Sequence, residues 1–169
     1  MTKEIRFYRS TGKYGFLSNL YPVPVVFADV VYKSSEHAYQ AQKPNKREIR
    51  EWIMAAPYPR LAAAAGHGLA FYDTVSHWNQ IPKRKGELPD PGLRHKVVIM
   101  RAVLLAKFSQ HPSLRDKLLA TGNALLVEDS TIDPFWGIGH NGKGQNWLGI
   151  CLMDVRSSIR EHLRRKGSS

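Results

Sequence analysis

Apolar residues recur along this chain at two spacings, and the two divide it into short strands and longer helices. Ile5-Arg6-Phe7-Tyr8 alternates and predicts a strand. After a turn at Thr11 to Gly15 comes an apolar and aromatic loop, Gly15 to Pro22, with Ser18 and Asn19 embedded in it. Val23 to Tyr32 is β-rich, with Ala28-Asp29 as a hairpin turn. Ser34 or Ser35 is placed to cap a helix that carries Glu36, Gln40 and Lys43 at i, i+4 and i+7, on one face. Pro44-Asn45 ends that helix and opens another to about Ala56, with Ile49, Trp52 and Ile53 on its apolar side.

Pro57 and Pro59 then interrupt, and Leu61 to Ala65 predicts a short helix terminated at Gly66. Trp78 to Gly92 is rich in proline and charge and is read as a loop. Leu93 to Phe108 has Val97, Met100 or Arg101, Leu104 and Phe108 at helical spacing, and Pro112 opens a shorter helix, Ser113 to Ala120, closed by Gly122. Ala124 to Glu128 predicts a strand. A last helix runs from about Asn146 to Leu163 on a stripe of Leu148, Leu152, Val155, Ile159 and Leu163. Beside that stripe run Arg156, Arg160 and Arg164. The pattern predicts an α+β fold: one predominantly helical domain over 1–164 with a small antiparallel sheet, followed by a frayed tail at 165–169.

Composition narrows the class. At 169 residues, 43% apolar and 23% charged, the chain is expected to bury one core and not to be disordered. Its one cysteine, Cys151, excludes an internal disulfide and a thiolate metal site. Met1 to Arg6 lacks the apolar run of a signal peptide, and Leu61 to Phe71 is too short and too interrupted to span a bilayer, so a cytoplasmic protein without a membrane partner is expected. Charge adds more: 25 Lys and Arg against 14 acids give +11, a field that attracts nucleic acid, nucleotides or phosphorylated sugars. Charge alone does not separate a DNA surface from a small-phosphate pocket.

Two stretches are candidates for chemistry. The first is Ser34 to Lys43, where a carboxylate, an amide and an amine would line one wall; the plain reading is a solvated helix face. The second is Trp136 to Gly144, which contains GxGxxG at Gly137, Gly139 and Gly142. It lacks the βαβ context of a dinucleotide site, and Gly144 stands after Lys143 where a Walker A loop needs Ser or Thr. Four glycines just before a helix nonetheless suit backbone binding of a phosphate or pyrophosphate; the alternative is a flexible loop. The seven histidines show no zinc-ligand spacing, and His37 reads as structural.

Taken together, Gly15-Phe16-Leu17-Ser18-Asn19, Glu36-His37 with Gln40 and Lys43, Asp133-Pro134-Phe135-Trp136-Gly137-Ile138-Gly139, and Asn146-Trp147-Leu148-Gly149 with Leu152-Met153 and Arg156 resemble the NADAR (YbiA-like) family, over roughly Ile5 to Leu163. Pro44 departs from that pattern, since family members often carry an aromatic there, and it bears on how the helix ends. The resemblance implies a largely helical fold, no metal and no cofactor, and cleavage of the N-glycosidic bond of ribosyl amines. The substrates it implies are either ADP-ribose on the amino group of guanine in DNA, with a DarT-type toxin as counterpart, or phosphoribosylamino intermediates of riboflavin synthesis.

On that footing Glu36, Lys43 and Asp133 are the expected catalytic residues. Lys43, partly neutral, would displace the base and form a Schiff base with the ribose, and Glu36 would move protons. Asp133 would serve the ribose hydroxyls or the attacking water, or simply make a turn before Pro134. Ser18, Asn19, Gln40, Trp136, Gly137, Gly139 and Asn146 are the expected substrate contacts. Trp136 reads equally as a base-stacking or a core residue, and Asn146 as a loop anchor or a helix cap. Lys83-Arg84-Lys85 and the Arg156/Arg160/Arg164 stripe are the expected nucleic-acid contacts, with a solvated face as the other reading of the stripe. The charge inclines this reading towards ADP-ribosylated guanine. A non-catalytic module binding ADP-ribose or a nucleotide is the alternative from another class.

Overall fold

A computed structural model describes residues 3–82 and 88–167. In chain order the regular elements are β1 (Glu4–Phe7), β2 (Val25–Phe27), β3 (Val30–Tyr32), α1 (Ser35–Gln40), α2 (Arg47–Ala55), α3 (Pro59–His67), α4 (His95–Gln110), α5 (Pro112–Ala120), β4 (Leu125–Glu128) and α6 (Trp147–Lys166). The fold is α+β and mostly helical, as expected. The strands differ in part from expectation. β2 and β3 form the antiparallel hairpin, with Ala28 and Asp29 both at positive φ (49° and 61°), which is the geometry a two-residue hairpin turn demands. β1, however, pairs with β4 in parallel, Glu4 against Leu125 through Phe7 against Glu128. Strand alternation carries no information about the direction of a distant partner.

α4 is the axis of the molecule. Val97, Met100, Leu104 and Phe108 enter a core shared with β1, β4 and α6, while Val103 enters a second cluster with Tyr32, Ala38, Ala41, Ile53 and Ala62. Of the two residues competing for the buried position, Met100 takes it, and Arg101 turns out to pair with Asp154 at 2.8 Å. Lys107, on the same helix, is wholly buried and donates to the carbonyls of Phe16 (2.8 Å) and Ser18 (2.9 Å). Burial holds its ammonium down at about 7.

Several boundaries moved for physical reasons. α1 stops at Gln40, because Pro44 disfavours helical geometry at Lys43. The chain leaves through i→i+3 bonds from Gln42 to Tyr39 and from Lys43 to Gln40. α2 begins at Arg47, and Trp52 on it is exposed, whereas Ile53 is buried. Pro59 opens α3 at its first position, where a missing N–H costs nothing, and Gly66 lies inside that helix, not at its end. On α6, Leu163 is largely exposed. Arg156 is buried, donating to Thr121 Oγ1 and the Ala124 carbonyl; Arg160 reaches Asn123 and the Gly122 carbonyl. That pair ties the α5–β4 connection to α6; of the stripe only Arg156 is buried, while Arg160 and Arg164 are exposed.

Lys107 generates a stability prediction. Its pKa is lower folded than unfolded, so the unfolded chain binds more protons between about pH 7 and 10, and stability conferred at this site rises with pH across that window. In urea unfolding, the advantage of wild type over Lys107→Met is expected to grow by about 2 kcal/mol between pH 7 and pH 9. A pH-independent difference would place the charge elsewhere.

Candidate active site

The site begins with the capping of α1. Ser34 Oγ accepts from the His37 amide, and the His37 ring is fixed between Ser34 Oγ (2.8 Å) and the Ala56 carbonyl (3.0 Å). Since a carbonyl only accepts, Nε2 carries the proton, and His37 is a structural residue. The same first turn presents Glu36, buried to 8% exposure. Asn19 Nδ2 donates to its Oε2 (3.2 Å) and Gln40 Nε2 to its Oε1 (2.7 Å). Burial raises the Glu36 pKa, against the pull of those two amides and of the nearby His67 and Lys43.

In front of this buried layer lies an open cleft of about 320 Å³. Tyr39 and Lys43 form one wall, Gly66 and His67 a second, Thr74, Trp78 and Asn79 a third, and Lys96 with Asp133, Phe135 and Trp136 the fourth. Lys43 is held although it lies outside the helix. Its carbonyl accepts from the Val75 amide (2.8 Å), and Pro44 bridges Thr74. Its Nζ donates to the Gly66 carbonyl (3.2 Å) and stands 5.9 Å from the Tyr39 ring and 6.0 Å from the Trp78 ring. Burial lowers its pKa, opposed by Glu36 and Asp133. Asp133 Oδ1 accepts from the amides of Phe135 (2.9 Å) and Trp136 (2.8 Å), which makes the turn that sets Trp136 edge-on to Tyr39.

Of the residues expected from sequence, Lys43, Asp133 and Trp136 line the cleft, with Glu36 and Gln40 directly behind it and Asn19 one bond further back. Ser18 faces inward, its Oγ taken by the Leu20 amide. The glycine loop is not an anion cradle. The amides of Gly137, Gly139, Gly142 and Gly144 donate to the carbonyls of Asp133, Ser130, Gly139 and Ile138. The glycines are there for close packing: a Cβ on Gly144 would come 2.3 Å from the Gly137 carbonyl oxygen. Asn146, at φ 53°, neither caps α6 nor reaches the cleft, because its amide pairs with the backbone of β4 at Leu126 and Glu128. Lys83, Arg84 and Lys85 lie outside the described residues. Tyr39, His67, Trp78 and Lys96 were missed; Lys96 carried a signal, a cation in the first turn of a helix, where the dipole disfavours it. Among the described residues no three His, Cys, Asp or Glu side chains gather to hold a metal, and no helix is long and apolar enough to cross a membrane.

The NADAR domain model matches residues 6–160. The chain belongs to the NADAR family. Among its NADAR relatives, N-glycosidase YbiA from Shigella boydii is 36% identical over 92% of this chain and 88% of that protein. A riboflavin biosynthesis protein from Vibrio vulnificus is 35% identical over 96% of this chain and 40% of that longer protein. The NMR structure of Escherichia coli YbiA superposes with a TM-score of 0.74 at 33% identity, covering 95% of this chain and 87% of that one. Family and relatives make this chain an enzyme of the N-glycosidase class.

Gly66 gives the site its sharpest test. A Cβ there would fall 2.0 Å from Gln40 Oε1, so Gly66→Ala must push the Gln40 amide off Glu36. Losing that donor raises the Glu36 pKa further, and the acidic limb of the pH–activity profile should move to higher pH with about a tenfold loss of turnover at neutral pH. Gly68→Ala, whose Cβ meets nothing nearer than 3.5 Å, should leave both unchanged.

Proposed function

We propose that this cleft hydrolyses the bond between C1′ of a phosphorylated ribose and an exocyclic amine. The observation that carries the reading is Lys43: an amine whose pKa burial lowers, in a cleft lined by Asp133 and four aromatic side chains, with the Glu36 carboxylate behind its wall. The ring-opened glycosylamine is an imine at C1′. Neutral Lys43 Nζ adds to C1′, a proton passes to the base nitrogen, and the C1′–N bond breaks to release the free amine. The iminium left between Nζ and C1′ then takes up water and returns lysine and the sugar. Glu36, with its raised pKa, holds and returns the proton, and Asp133 Oδ2, opposite the oxygen engaged by the turn, faces the sugar or the water.

Two substrates contain this bond. A phosphoribosylamino intermediate of riboflavin synthesis is the first reading: the relative named for riboflavin biosynthesis supports it, and a cleft of about 320 Å³ suits a ribose phosphate. ADP-ribosylated guanine in DNA is the second, supported by the net charge of +11. It is weakened because Arg156, one of the expected nucleic-acid contacts, is buried and engaged inside the fold. A DarT-type toxin would be the counterpart only under the second reading. Incubating the protein separately with each substrate, and following release of the amine, distinguishes them. Lys43→Ala should lower turnover by about a thousandfold or more and abolish borohydride trapping of a protein–ribose adduct. Wild-type turnover should rise with pH through a Lys43 pKa below 10.5. Activity retained in Lys43→Ala excludes the covalent route.

A further inference from the structure

The N-terminus of α4 breaks a local rule. Arg94, His95 and Lys96 crowd the positive end of a 16-residue helix that has no acidic residue in its first turn. Lys96 Nζ lies 3.6 Å from the centre of the Phe135 ring, and the Arg94 guanidinium carbon lies 5.3 Å from the same centre. Two cations thus pack on one aromatic side chain of the cleft wall. Among the described residues neither makes an ion pair, and Arg94 Nε is buried with no hydrogen-bond partner at all. Burial, Arg94 and Lys43 together bring the Lys96 ammonium down to about 8. Asp133, the acid that opposes this, has one oxygen already engaged by two amides. Such a concentration of uncompensated positive charge is expensive unless an anion occupies it.

We propose that Arg94 and Lys96, both packed on Phe135, form the subsite that takes the phosphate of the substrate. Lys96, which lines the cleft, supplies the point charge, and Arg94, packed on the same Phe135 ring, the planar donor face. The subsite rests on the reading of the cleft as a ribosylamine hydrolase, and names what that hydrolase recognises: the phosphate ester of the sugar, not the leaving base. It also replaces the glycine loop as the anion-binding element, since the amides of that loop are already used.

The test is titration calorimetry of the intact protein with ribose 5-phosphate and with ribose. Wild type is expected to bind the phosphorylated sugar at least about tenfold more tightly. Lys96→Met and the Arg94→Met, Lys96→Met pair should lose that preference while thermal unfolding remains cooperative, and Lys96→Arg should keep most of it. Equal affinity of wild type for the two sugars overturns the subsite, as does a preference that survives in the double variant. Turnover of a ribosylamine without any phosphate preference removes the subsite alone. A Lys96-dependent preference without turnover of any ribosylamine leaves the subsite standing and removes the hydrolase reading.

Discussion

Taking a carboxylate out of water costs several kcal/mol unless other donors replace the solvent, and at Glu36 two side-chain amides do so. Each donor requires its own support. Gln40 is one turn along α1, so the helix must run at least that far, and its amide fits only because Gly66 on α3 has no side chain to meet it. Asn19 comes from the loop after the first strand, and that loop is fastened from below by Lys107 through the carbonyls of Phe16 and Ser18. Three separate elements therefore converge on one acid. Its neighbours are fixed before any substrate arrives, which is the condition for electrostatic catalysis without reorganisation.

Lys107 and Lys43 have depressed basicity for different ends. Lys107 is surrounded by protein and acts on backbone carbonyls, as a brace. Lys43 is only partly buried, at the mouth of the cleft, with a single carbonyl contact and aromatic rings at nearly 6 Å. A brace has its donors saturated; a nucleophile must keep a lone pair that something else can reach. Number and quality of contacts, more than the depression of basicity itself, separate the two roles.

Local pattern carried most of the helices, the hairpin turn at Ala28-Asp29 and the cap at Ser34, because these depend on neighbours within a few positions. It carried the pairing of Glu36 with Gln40 for the same reason. What it did not carry is set across the chain. The parallel partner of β1, the burial of Arg156 and the cleft walls that carry Trp78 and Lys96 all depend on segments far away in sequence. The glycine loop misled because glycine spacing looks alike whether the backbone approaches a phosphate or another strand of its own chain. Lys43 reached the cleft by a different route from the expected one: a strand-like bridge at Pro44 replaced the last turn of helix.

The β1–β4 ladder has a consequence for how the molecule comes into being. Its pairing closes a loop of about 120 residues, and β4 in turn is clamped by Asn146 at the start of the final helix. Asp133, Phe135 and Trp136 hang from the segment between those two anchors. On a chain emerging from the ribosome, the earlier helices have local contacts to form first, whereas one side of the cleft waits for the segment from Asp133 to Asn146 and the helix after it. Until that segment docks, Lys43 and Glu36 stand on a helical framework whose cleft lacks the wall of Asp133, Phe135 and Trp136, and with it the second carboxylate of the proposed chemistry.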